Sequence, residues 1–145
     1  MIDFVVDATI IGMSNVEMVA PETNSRFVRL VAVLDQIANG NDHARYNSRL
    51  LSEYEQLTKI HRNDIIDMFF NLLEPPHSVF VNRNRLERHH YVVAVDKCGW
   101  PSHDQHLLAA AIGGSNPLIL VTEPILANCG QKILRHFKIH VDHVN

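Results

Sequence analysis

The sequence predicts an α/β fold with a mainly parallel central sheet covered on both faces, and three observations carry that prediction. Short apolar runs rich in β-branched residues recur along the chain: FVVDATII from Phe4 to Ile11, YVVAV from Tyr91 to Val95 and PLILVT from Pro117 to Thr122. Amphipathic stretches with apolar residues at helical spacing separate them. There are no repeats and no linker-like tract, so the elements follow one another as a βαβ series, whose crossovers make the strands parallel. A chain of 145 residues has room for a single core, placing one domain over residues 1–145.

Each element has its own local reason. Phe4 to Ile11 reads as a strand buried on both faces and interrupted by Asp7. Met13 to Thr23 reads as a polar loop on the rim that follows. Phe27, Leu30, Val31, Leu34, Ile37 and Ala38 fall at helical spacing and end at Asn39-Gly40. Residues 43–47 suit a short strand. Leu50, Leu51, Tyr54, Leu57 and Ile60 mark the apolar side of a helix opening near Ser48. Asn63 is a cap for the next helix, which carries Ile65, Ile66, Phe69, Phe70, Leu72 and Leu73 and stops at Pro75-Pro76. A basic connection, Asn82 to His90, leads to the strand expected at Tyr91 to Val95. Ser102 and Gln105 have capping-box spacing before LLAAAI and the stop Gly113-Gly114. After the Pro117–Thr122 strand, a helix is expected around Gln131 to Phe137 and a last strand at Lys138 to Val141.

Composition removes several classes of function. With 46% hydrophobic and 20% charged residues and a net charge of −3, the chain is not disordered, and its surface as a whole does not attract nucleic acid. Two cysteines, Cys98 and Cys129, are too few for a disulfide scaffold, whether they stand as thiols or as a pair. The longest apolar runs fall well short of the roughly 18 residues of a membrane span. Met1, Ile2 and Asp3 offer no basic n-region, so the expected setting is cytoplasmic and reduced, with no membrane partner.

Ligands of parallel α/β sheets bind beyond the carboxyl ends of the strands, which draws attention to acids near those ends. Asp7 is either the solvated position of an edge strand or an acid of a central strand facing the crevice. In the second case its burial requires compensation by a cation or by donors. Glu53 and Glu55 are separated by helix geometry. At about 100° per residue, Glu53 falls inside the apolar arc of its helix and Glu55 outside it. A helix beginning at Ser52 would instead make Glu55 a capping-box partner. Asp104 lies in the first turn of its helix, where an acid also suits the helix dipole. Two unit charges about 4 Å apart repel by roughly 4 kcal/mol at an effective dielectric of 20, so three convergent carboxylates need a cation. Hard oxygen donors without thiolate select Mg²⁺ or Mn²⁺, and such a site suits phosphoryl chemistry.

The segments VVDATII, LLSEYEQL and DQHLLAAAIGGSNPLILVT, in that order and spacing, resemble the PIN-domain family of VapC-like ribonucleases. The resemblance covers most of the chain. It implies a PIN-like three-layer α/β/α sandwich and metal-dependent cleavage of single-stranded RNA, with Asp7, Glu53 and Asp104 as the catalytic and metal-binding acids. It further implies a homodimer and, for a toxin of a toxin–antitoxin pair, a small antitoxin protein as partner. The pattern departs after the last core strand: the family's fourth acid falls on Pro124, so either Glu123, beside Thr122, or Asp96 stands in for it, or the site keeps only three acids. That departure supports an alternative, a degenerate PIN module that binds RNA or protein without cutting. A D-x-T begins at Asp7, but a haloacid-dehalogenase-like phosphatase needs a second Asp where Thr9 stands. No Gly-rich turn suggests a dinucleotide enzyme.

Among the remaining features, Arg83, Arg85 and Arg88 with His89 and His90 form the densest basic segment, either a solvated loop or a phosphate contact beside the acids. Arg83 and Arg85 are the RNA-binding residues this reading selects. Ten histidines are many for the length, yet no zinc-finger or H-E-x-x-H spacing appears. His136 and His140 would form a ligand pair only if one helix carried both. Met68, Phe69 and Phe70 suit the core or, on a helix apolar on several faces, a dimer interface.

Overall fold

A computed structural model describes residues 1–16 and 24–145 of the chain. Five strands, β1 (Asp3–Val6), β2 (His43–Tyr46), β3 (Ser78–Phe80), β4 (Pro117–Val121) and β5 (His140–His143), form one sheet in the order β3-β2-β1-β4-β5. All neighbours are parallel, with Asp3 opposite both His43 and Pro117, and Leu118 opposite His140. Eight helices among the described residues complete a three-layer α/β/α sandwich: α1 (Ala8–Ser14), α2 (Ser25–Asn39), α3 (Ser48–Leu57), α4 (Asp64–Leu72), α5 (Arg88–Tyr91), α6 (Gln105–Ala111), α7 (Pro124–Asn128) and α8 (Gly130–Phe137). No described helix is long and apolar enough to cross a membrane.

The strand order explains why β1 and β4 are the most apolar segments. Each lies between two strands under helices, so all four residues of β1 and four of the five in β4 are buried. The Ala-rich helix α6, buried from His106 to Ala111, packs across β1, β2 and β4, and its small side chains permit that close approach. At the amino end of the sheet, Arg45 of β2 donates from Nε to Ala110 O and from Nη2 to Ile112 O. Gly113, at φ +88°, then turns the chain into β4, in a conformation that disfavours any side chain.

Four elements differ from the sequence-based expectation, each for a local reason. The run Phe4–Ile11 is a strand only to Val6. From Ala8 it is α1, with Ala8, Ile10 and Ile11 buried, because a short apolar run fits a buried strand and a buried helix equally well. Tyr91–Val95 is helical: α5 runs into a π-helical segment over Val92–Lys97, where Cys98 N–H donates to Val93 O, and only Ala94 of that segment is buried. The strand beside β2 is instead β3, an edge strand whose Val79 and Phe80 are exposed. The capping box at Ser102 does not form. Residues Ser102–Asp104 make a 3₁₀ turn, α6 begins at Gln105, and Gln105 Oε1 accepts from Leu86 N–H. The last strand starts two residues later than expected, because Lys138 ends α8 in the left-handed region at φ +59°.

Smaller corrections follow. The expected loop from Met13 begins inside α1, and residues 17–23 lie outside the described residues. Helix α7, opened by Pro124 at its first turn, was not anticipated. Leu57 and Ile60 are exposed, because α3 ends at Leu57. The α3 and α4 starts stand as expected, with Asn63 Oδ1 accepting from Ile66 N–H. Cys98 and Cys129 are buried free thiols.

Candidate active site

The sheet order places the topological switch point between β1 and β4, since successive crossovers leave β1 on one side toward β2 and return on the other side to β4. At such a point the loops beyond the strand ends diverge and leave a crevice. Asp7 follows β1 directly and Thr122-Glu123 follows β4, so these residues border the crevice by topology alone. The two loops are tied together: Asp7 N–H donates to Leu120 O at 3.0 Å, and the Thr9 and Thr122 hydroxyls share a hydrogen bond of 2.7 Å. Asp7 is therefore the acid of a central strand, and the edge-strand reading is excluded.

Asp7 is 8% exposed, and its carboxyl is pushed up to about 6. Burial is the main cause. The negative charges of Asp104 and Glu123 add to it, while hydrogen bonds from Thr9 pull the other way. A second buried acid on the same strand gives the contrast. Asp3 accepts from Ser115 N–H at 2.7 Å and has Arg45 at 3.9 Å and His43 at 3.6 Å. Asp3 is compensated by donors and cations, whereas Asp7 faces other acids.

Asp104 reaches the crevice from the 3₁₀ turn that precedes α6, and Glu53 from α3. The Asp104 carboxyl is raised, first by burial and in part by Glu53, with His103, His106 and Arg49 opposing. Its Oδ2 is buried without a hydrogen-bond partner; His103 Nε2 stands 3.2 Å away but lacks bonding geometry. Glu53 is half-buried and Glu55 exposed, as the helix geometry requires, and the start of α3 at Ser48 removes the capping role for Glu55. His106, 4% exposed, holds Glu53 Oε1 at 2.8 Å, and Arg49 approaches Oε2 at 3.5 Å. Burial lowers the His106 pKa while Glu53 raises it.

Two residues that were not anticipated fix this arrangement. Asn47, fully buried, caps α3 by accepting from Leu50 N–H and donates to both Arg83 O and His106 O, joining the segments that carry Glu53 and Asp104. Tyr54, also buried, donates its hydroxyl to Val6 O, the last carbonyl of β1. An Asn before a helix is legible as a cap, but its second and third bonds are set by the tertiary fold.

The other expected residues are distributed differently. Asp96 is exposed on the π-helical segment and is not among the charges acting on Asp7 or Asp104. Glu123, exposed at the start of α7, does act on Asp7. Arg85 lines a cavity of about 410 Å³ with Arg49, His103 and His106. Arg83 is turned toward Glu87 at 3.4 Å. His136 lies in α8 and His140 in β5, so one helix does not carry both. Phe69 is buried against Tyr54, and Phe70 lies under Arg62, whose guanidinium carbon is 3.7 Å from the ring centroid. Met68 of the same helix is exposed.

The acids are near enough to act on one another but do not form a tight cage. Among the described residues, only Glu87, His89 and His90 have three ligand atoms mutually within 4.8 Å. Carboxylate oxygens with no thiolate are the donors that Mg²⁺ and Mn²⁺ take, so a cation in this crevice would be held by one or two carboxylates and would keep several waters. The unpartnered Asp104 Oδ2 and the destabilised Asp7 carboxylate supply that donor set.

No protein-family model matches the chain, and no curated protein sequence matches it. Fold and site alone define its class: an α/β/α protein with an acidic crevice at the switch point of an all-parallel sheet.

Proposed function

We propose that the protein is a metal-dependent endoribonuclease that hydrolyses phosphodiester bonds of single-stranded RNA, in keeping with its resemblance to PIN domains. The observation that supports this best is the state of Asp7, a buried acid beside Asp104 and Glu123 that, among the described residues, has no basic residue bonded to it. Asp7 and Asp104 would hold Mg²⁺ or Mn²⁺, with Glu53 and Glu123 adding negative charge around them. When bound, such an ion supplies a water of lowered pKa and balances charge developing on the phosphate. His106 and Arg49 keep Glu53 in one orientation, and the Thr9–Thr122 bond holds the two crevice loops in register. Arg49, Arg85 and His103 border the cavity beside the acids, where flanking phosphates of a single strand would lie.

The looseness of the acid cluster and the Pro124 position favour a second reading, a PIN-like module that binds RNA without cleaving it. Incubating a panel of single-stranded and structured RNA with Mg²⁺, Mn²⁺ or EDTA separates the two. Cleavage that requires the metal and is lost in Asp7→Asn and Asp104→Asn supports the nuclease. RNA binding with no cleavage under any condition supports the binding module.

A further inference from the structure

We infer that Glu87, His89 and His90 form a second metal site, selective for borderline divalent transition ions such as Zn²⁺, Ni²⁺ and Co²⁺. It is independent of the acidic crevice in both position and chemistry. One ligand atom from each of the three residues falls within 4.8 Å of the other two. The set contains two imidazoles and one carboxylate, a composition that suits Zn²⁺, Ni²⁺ and Co²⁺ rather than Mg²⁺, and three protein ligands leave a further position for water or a small ligand.

The local structure leaves these side chains free for the task. Glu87 precedes α5 at its cap position, yet its side chain makes no capping bond. Arg83 approaches Glu87 Oε1 at 3.4 Å, which leaves Oε2 facing His89 Nδ1 at 3.7 Å. A carboxylate held on one oxygen by an arginine and offered on the other is the usual supporting arrangement around metal ligands. The His89 and His90 rings stand 4.0 Å apart between centroids, and His90 Nδ1 is buried without a hydrogen-bond partner. Phe137 packs edge-on against His90, fixing the ring.

His89 and His90 also line a cavity of about 740 Å³ at the amino ends of β4 and β5, the opposite end of the sheet from Asp7, with His136 and His140 on its wall. The open coordination position would face this cavity.

Titration of the Asp7→Asn protein with Zn²⁺ by calorimetry and with Co²⁺ by visible absorption, in excess Mg²⁺, tests the site without reliance on the crevice. We expect one equivalent of Zn²⁺ bound with micromolar or tighter affinity, and Co²⁺ bands of nitrogen ligation. His89→Ala and Glu87→Gln, both at exposed positions, should each weaken Zn²⁺ binding by about tenfold or more, with circular dichroism unchanged. His61→Ala, an exposed histidine elsewhere, should leave it intact. Binding that is absent in Asp7→Asn, or that falls equally in His61→Ala and His89→Ala, would overturn the assignment.

Discussion

Asp3 and Asp7 sit four residues apart and are both buried, yet they do opposite things. Asp3 is tied to Ser115 N–H, Arg45 and His43 and fastens the amino end of the sheet; Asp7 has other acids for neighbours. That difference has a measurable consequence. Because the Asp7 pKa is about 6 in the folded chain against 3.8 for a free side chain, the folded state holds this proton more tightly than the unfolded one. The Asp7 contribution to stability is therefore fully present below about pH 4, is lost as pH rises through about 6, and stays lost above. Asp7→Asn removes the penalty and should raise unfolding free energy in EDTA by as much as about 3 kcal/mol at pH 7.5. Near pH 4 the gain should vanish. Denaturant titrations at the two pH values check this, and equal effects at both would contradict it. Asp7 was legible in the sequence because an acid inside an apolar run is costly. Asp104 and Glu123 were also legible as candidates, but that their charges act on Asp7 follows only from the fold.

At the scale of elements, Asn47 decides whether α3 and α6 meet correctly. Asn47→Ala removes one cap bond and leaves Arg83 O and His106 O without their buried donor. A cost of about 2–4 kcal/mol follows from the unsatisfied groups and the lost cap. The measurement is equilibrium unfolding, and a loss below about 1 kcal/mol would remove Asn47 from this role. Elements were legible wherever local chemistry dominated: the cap Asn63, the glycine stop at Gly113-Gly114 and the apolar run of β4. They were not legible where tertiary contacts chose between equal local options. Ala8–Ile11 and Tyr91–Val95 are β-branched or apolar, but helix α1 claims the first, and α5 with the π-helical segment that continues it claims the second. The three-residue edge strand β3 buries only Ser78, too little to leave a pattern.

For the molecule as a whole, basic and acidic residues are sorted around one end of the sheet while net charge stays slightly negative. RNA affinity should therefore depend on a few cations rather than on overall charge. Arg85→Glu should weaken single-stranded RNA binding and reduce the slope of log affinity against log salt by about 1. Arg83→Glu should affect it less, since Arg83 already faces Glu87. Fluorescence anisotropy across a salt series distinguishes the two, and equal losses would place Arg83 on the RNA path after all.

The central claim is that the acids at the switch point share a divalent cation, and Mn²⁺ binding tests it most directly. The measurement is a titration followed by electron paramagnetic resonance at pH 7.5, in a His89→Ala background so that the imidazole cluster does not contribute. The account predicts saturable Mn²⁺ binding that is lost in both Asp7→Asn and Asp104→Asn and competed by Mg²⁺. Saturable binding that survives both substitutions, or none in the parent protein, would contradict it.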